Sequence, residues 1–258
     1  MYENFSSYIV KFSVGNWETM MKVIKLSSDY ANNISELYEK ELEYLYLLGT
    51  AYQSPKISNY LRFICENKLE DFFGIVNDDE LIAVIQYKKS DGCLHINHMV
   101  VASSHQGVGL GKKLLYWVIQ EAELNGLNVS LDVDSTNKKA FDWYLSNGFE
   151  IKSETRFSIL ELKSQEPNTI VYHDRENLSN FGFSNVNVMG IKGLDFYFVK
   201  PHTLLLKNAE IVEDKLLNKL HGAINGLLVV DSESISKKAL SKSIYNKVVV
   251  GMVKYING

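Results

Sequence analysis

The sequence predicts an α/β chain of the α+β kind, with a mixed central sheet flanked by helices and then a second, smaller α/β domain. Three observations carry this. Apolar residues recur at helical spacing over Leu110, Leu114, Val118 and Ala122, with Leu115 and Ile119 beside them. They alternate with polar residues over Leu127, Val129, Leu131 and Val133, the pattern of a half-buried strand. After Lys163, Ser164-Gln165-Glu166-Pro167-Asn168 reads as a linker, which divides the 258 residues into domains 1–163 and 164–258.

The elements follow in order. A strand is expected near residues 8–14, then helices over 17–28, 34–48 and 55–67, the last with Ser54 as N-cap and Pro55 in its first turn. A strand over 72–76 meets turn chemistry at Asn77-Asp78-Asp79-Glu80, so 81–88 returns as its hairpin partner. Ser90-Asp91-Gly92 marks a second turn before 94–101, giving a three-stranded meander. A helix then runs from Leu110 to Asn125-Gly126, followed by the strand at 127–133, a helix from Asn137 past Tyr144, and strands at 149–157 and 160–162. Beyond the linker, Phe181 to Gly193 reads as turns between short strands. Strands at 194–199, 227–231 and 248–256 and helices at 213–224 and 235–245 make a βαβ-like order with parallel pairing.

Composition excludes several classes. No apolar run approaches the ~18–20 residues that cross a membrane, and the start, with Glu3, does not read as a secretory signal. Cys65 and Cys93 offer neither a metal spacing nor a disulfide framework, so a reducing cytoplasm is the expected location and no metal is expected. Residues 1–163 carry a net charge of −6 and residues 164–258 one of +2, neither of which suits nucleic acid. The acidic balance suits a cationic amine, with Glu36, Glu39, Glu41 and Glu43 contributing, although a solvated helix face is the simpler account of those four.

The chemistry centres on Gln106-Gly107-Val108-Gly109-Leu110-Gly111-Lys112, between the strand ending Met99-Val100-Val101 and the helix at Leu110. Glycines let a phosphate approach the backbone, and the first turn of a helix presents N–H groups that nothing inside the helix satisfies. A Walker loop fails on Gln106 and Lys113, and the dinucleotide fingerprint fails on Lys112. The pattern Gln/Arg-x-x-Gly-x-Gly/Ala fits Gln106, Gly109 and Gly111. It resembles the acyl-coenzyme A loop of the GNAT superfamily of N-acetyltransferases. A second stretch, Asn137 to Tyr144 closing at Asn147-Gly148-Phe149, resembles that superfamily's N-x-x-A-x-x-x-Y-x-x-x-G-F signature.

The resemblance covers about 150 residues and implies acetyl transfer from acetyl-coenzyme A (acetyl-CoA) to a primary amine of a small acceptor. It implies cofactor contacts from the backbone of Met99, Val100 and Val101, from Gln106, Gly107, Val108, Gly109, Leu110, Gly111 and Lys112, and from Asn137 and Tyr144. Lys113 adds positive charge beside the loop, and Asn137 has helix capping as its plain alternative. Tyr144 is the expected acid for the departing thiolate, since a phenol near pKa 10 stays protonated at neutral pH. His95, eleven residues before Gln106, stands where relatives carry a glutamate base. Strict alternation puts His95, Asn97 and Met99 on one strand face and Ile96, His98 and Val100 on the other, so only one histidine faces the acceptor. Asp231-Ser232 at the carboxyl end of a strand suits the border of a ligand crevice, with helix capping by Ser232 or Ser234 as the favoured alternative. The rival reading is a non-catalytic acyl-CoA-binding sensor or interaction module. A homodimer is compatible with either.

Overall fold

The computed structural model describes residues 21–162, 170–172, 174–188, 196–199, 203–206, 214–221, 226–231 and 243–256. In chain order these form β1 (Val23–Lys25), α1 (Ala31–Glu41), α2 (Tyr44–Leu47), α3 (Ile57–Glu66), β2 (Asp71–Asn77), β3 (Glu80–Ser90) and β4 (Cys93–Val101). There follow α4 (Leu110–Asn125), β5 (Asn128–Asp134), α5 (Lys138–Ser146), β6 (Glu150–Leu162), β7 (Ile170–Tyr172), α6 (Arg175–Phe181) and β8 (Phe183–Val188). The chain closes with β9 (Phe196–Val199), β10 (Thr203–Leu206), α7 (Asp214–His221), β11 (Gly226–Asp231) and β12 (Tyr245–Lys254).

The meander β2-β3-β4 forms as its turns dictate. Asp78 and Asp79 sit at φ 48 and 65, and Asp91 and Gly92 at φ 48 and 75, so each hairpin closes through two residues of positive φ. That backbone twist matches the twist of the strands it joins. α4 starts at Gly109 and stops at Gly126, both left-handed, and buries Leu110, Leu114, Leu115, Val118 and Ala122. Each fully buried leucine or valine there contributes roughly 1.5–3 kcal/mol.

All strands of the described residues join one sheet in the order β1-β2-β3-β4-β5-β12-β6-β11-β10-β9-β8-β7. β12 therefore returns from the end of the chain to lie between β5 and β6, antiparallel to both. Its Val250 and Met252 are buried in the same core as Leu114, Val129 and Tyr144. A cut at 163/164 falls within this continuous sheet. The strands between β6 and β12 build a second core around Leu160, Leu162, Phe196, Leu204 and Leu228.

Several sequence expectations are corrected here. Helix 17–28 is replaced over Val23–Lys25 by strand β1, because pairing with β2 and the Lys25–Asp71 ion pair at 2.7 Å outweigh the helical pattern. Helix 34–48 breaks after Glu41, where Leu42 and Glu43 are extended before the short α2. Helix 55–67 begins at Ile57, and Ser54 Oγ accepts from Lys56 N–H instead of capping a helix that starts at Pro55. The strands at 149–157 and 160–162 are one strand, β6, with Ser158 Oγ bonded to Asn246 Oδ1 across the sheet. The final strand is antiparallel to its neighbours, not parallel, and Tyr245 opens it instead of closing a helix. The strand near 8–14, the linker 164–168, Ser232, Ser234 and most of helix 235–245 lie outside the described residues.

Candidate active site

The parallel pair β4–β5 is short. It joins Cys93–Ile96 to Asn128–Leu131 and ends there. Beyond Ile96, β4 pairs only with β3, through His98, Met99, Val100 and Val101, while Asp132–Asp134 of β5 pair only with β12. A wedge-shaped gap opens between the two strands in the middle of the sheet. The backbone of Met99, Val100 and Val101 lies on its edge, where no pairing with β5 engages it.

The glycine loop caps the gap. Gly107 and Gly109 lie at φ 81 and 90, which side chains resist, and a Cβ at either would meet nothing within 4 Å. The first bond of α4 runs from Lys113 N–H to Gly109 O at 3.0 Å, so the N–H groups of Leu110, Gly111 and Lys112 precede any helical acceptor. Open approach and aligned donors suit a diphosphate. Val108 is 70% exposed in this loop. Gln106 Nε2 donates to Val101 O at 3.1 Å, and its Oε1 accepts from Lys139 Nζ at 2.8 Å, tying the end of β4 to α5. Lys113 Nζ donates to Met21 O, and burial lowers its pKa.

α5 carries Tyr144, the residue expected to act as the acid. Tyr144 is buried with its ring against Trp143 and Phe149, and burial pushes its phenol well above the ordinary 10. It is protonated throughout the physiological range. Asn137 caps the same helix, Oδ1 accepting from Ala140 N–H at 3.1 Å. That is the capping arrangement the sequence left as Asn137's alternative.

His95 lies on the paired side of the gap. Its Nδ1 is 3.1 Å from Ser130 Oγ and its Nε2 3.9 Å from Asp132 Oδ2. Burial lowers its pKa below the ordinary 6.5 and Lys88 adds to this, while Asp132 and Glu70 oppose. The alternation argument for its face is overturned by a β-bulge. Ile96 pairs with Tyr87 and His98 with Gln86, so Asn97 is an extra residue and reverses the parity of everything after it. His95 and His98 therefore share one face, and Met99 moves to the other.

On that shared face the bulge gathers a polar cluster. Glu70 Oε2 accepts from Gln86 Nε2 and from Asn97 Nδ2, both at 2.5 Å. Gln86 also donates to Tyr52 Oη and accepts from Tyr38 Oη at 2.8 Å. His98 stacks edge-on with Tyr52 at 4.1 Å, and burial, aided by Lys247, pushes its pKa to about 3. Of the glutamates proposed for the acceptor region, Glu36, Glu39 and Glu43 are exposed, and Glu41 buries one carboxylate oxygen.

Residues of the C-terminal segment reach the chain around α2. Lys247 Nζ donates to Tyr46 O at 2.6 Å, Gln53 Nε2 to Thr203 Oγ1 at 2.6 Å, and Ser54 Oγ to Phe181 O at 2.5 Å. Lys56 and Asn59 bond the carbonyls of Ser179 and Asn180.

With this geometry established, the chain can be compared with known proteins. Residues 32–149 match the family model "Acetyltransferase (GNAT) family". This stretch is similar to GNAT acetyltransferase domains. Among curated proteins, none matches the sequence. The fold is similar to that of a candidate acetyltransferase from Thermoplasma acidophilum, at 14% identity over 91% of this chain and 100% of that one, with a TM-score of 0.57. Matches confined to about half of the chain include the PaiA N-acetyltransferase of T. acidophilum in complex with coenzyme A (20% identity, 51% of this chain and 90% of that, TM-score 0.43). Another is the Escherichia coli ribosomal-protein-S18-alanine N-acetyltransferase (17%, 57% and 84%, TM-score 0.42). The gap, the glycine loop and α5 all fall inside the GNAT stretch, whereas β12, which borders β5, falls outside it.

Sequence reasoning missed Glu70, Tyr38, Tyr52 and Lys247. One signal was available: Gln86 is a lone amide in the apolar run 81–87, and it is fully buried. A buried amide must find partners, and those partners are the cluster.

Proposed function

We propose that this protein transfers the acetyl group of acetyl-CoA to the primary amine of a small, cationic acceptor. The gap between β4 and β5 beside the glycine loop is the observation that carries the reading. The residues fit the cosubstrate: the N–H groups of 110–112 and the glycines at 107 and 109 receive the diphosphate, and the open edge of Met99–Val101 receives the pantetheine arm and thioester. Bound there, acetyl-CoA supplies an activated acyl carbonyl. Backbone donors already in place at that carbonyl stabilise developing negative charge without reorganising, commonly the largest single contribution to such catalysis.

Tyr144 donates the proton that the departing thiolate needs, its burial keeping the phenol protonated until then. The acceptor nitrogen must reach the carbonyl uncharged. His95, largely neutral at pH 7, takes that proton or passes it through Ser130. Residues 164–258 hold the acceptor wall: their bonds to Tyr46, Gln53 and Ser54 fix the chain between α1 and α3. This gives the proposed C-terminal domain a bracing role.

The test is thiol release from acetyl-CoA across a panel of alkylamines. Turnover by the wild type, falling about 100-fold or more in Tyr144→Phe with coenzyme A affinity unchanged, supports the reading. Coenzyme A binding with no thiol release from any amine favours a non-catalytic sensor.

A further inference from the structure

We infer that Glu70 is the acceptor-binding carboxylate of this site, placed at the Asn97 bulge to receive an alkylammonium group against the partly exposed rings of Tyr52 and Tyr60. The inference rests on the acetyl-transfer reading for the identity of the acceptor, and on its own geometry for the binding.

Position comes first. Asn97 is the bulged residue directly after Ile96, the last β4 residue paired with β5. Asn97 Nδ2 holds Glu70 Oε2 at 2.5 Å, which sets the carboxylate at the apex of the gap. Gln86 Nε2 holds the same oxygen, also at 2.5 Å. One oxygen is thus pinned from two sides, and among the described residues no donor meets Oε1. The carboxylate is oriented and half-used.

Charge comes second. No lysine, arginine or histidine forms an ion pair with Glu70 among the described residues, whose ion pairs are Lys25–Asp71, His95–Asp132, Lys138–Asp142 and Arg156–Glu154. Its neighbours are neutral. Burial raises the phenols of Tyr38, Tyr52 and Tyr60, with the charge of Glu70 contributing in each case, and His98 is uncharged above about pH 3. Gln86 is already engaged by Tyr38 and Tyr52. A half-buried carboxylate without a cation attracts one more strongly than it would in bulk water. Tyrosine rings around it add the attraction of their faces for a cation. An alkylammonium satisfies both, whereas an anionic acceptor is repelled and an aromatic amine, neutral at pH 7, gains nothing from the charge.

The experiment compares Glu70→Gln with wild type on two amines, butylamine (cationic at pH 7) and aniline (neutral). The substituted amide retains an oxygen for Gln86 and Asn97, and coenzyme A affinity reports folding. The expected result is a rise of at least tenfold in KM for butylamine with the aniline KM within twofold. Equal shifts for both amines, or none, overturn the inference, since a merely structural role moves both alike. If the wild type turns over no amine, acetyl transfer fails separately and calorimetry of butylamine on the coenzyme A-loaded protein decides: binding that Glu70→Gln abolishes supports the inference, and equal or no wild-type binding overturns it.

Discussion

Gly109→Val tests the glycine loop, and its size follows from the backbone. Gly109 holds φ 90 at the start of α4. An L-residue in the left-handed region costs about 1–2 kcal/mol, and a branched Cβ more. A loop that relaxes to escape this strain must be driven back on binding, and every 1.4 kcal/mol is tenfold in affinity. Strain alone therefore weakens coenzyme A binding roughly 5- to 30-fold. The new Cβ also projects into space that is open in this structure and that the proposed phosphate site would use, so tenfold or more is expected. Gly126→Val is the matched control. Gly126 has φ 64, also with open space around its Cβ, at the far end of the same 16-residue helix, about 24 Å away. It carries similar strain with no role in the site, so Tm should fall by roughly 2–8 °C while coenzyme A affinity stays at the wild-type value. Calorimetric Kd and thermal unfolding on both variants make the comparison. Unchanged affinity in Gly109→Val, or an equal loss in Gly126→Val, refutes the assignment of the loop.

Three further outcomes are expected. His95 has a pKa below 6.5, so wild-type activity should decline as pH falls through that lowered value; His95→Ala should reduce the rate near neutrality and erase the acidic limb of the kcat/KM profile, and an intact limb assigns the proton to another group. His98 titrates near 3 in the folded protein against about 6.5 unfolded, so its neutral burial contributes stability above pH 6.5 that is lost progressively as pH falls toward 3. The loss is up to about 1.4 kcal/mol per pH unit, and urea unfolding of His98→Phe should show a shallower acid dependence than wild type. Gly182→Ala places a Cβ on Ser54 Oγ at φ 79, loosening α6 from the chain before α3. It should lower Tm and raise acceptor KM while leaving coenzyme A affinity alone, and a raised coenzyme A Kd would contradict the proposed bracing role.

What was legible in the sequence was whatever local chemistry dictates. The turns at 78–79 and 91–92 announced β2-β3-β4, the stripe from Leu110 to Ala122 announced α4, and the glycines announced its start. Long-range pairing was not legible. Nothing near Val248 says that β12 will cross the sheet to lie beside β5, and nothing near Tyr46 or Gln53 says that Lys247 and Thr203 will bond there. The site divides in the same way. The loop and Tyr144 sit in contiguous motifs, whereas the Asn97 bulge depends on how β4 registers with β3, and that one inserted residue put His98 beside His95 and brought Glu70 to the gap.

The central claim is that backbone amides at the start of α4 and the open edge of β4 hold acetyl-CoA with its sulfur beside Tyr144. A crystal structure with coenzyme A bound tests it most directly. The account predicts diphosphate oxygens within hydrogen-bond distance of N–H groups in 107–112 and the thiol facing the Tyr144 hydroxyl between β4 and β5. Coenzyme A lying outside that gap, or a thiol remote from Tyr144, would contradict it.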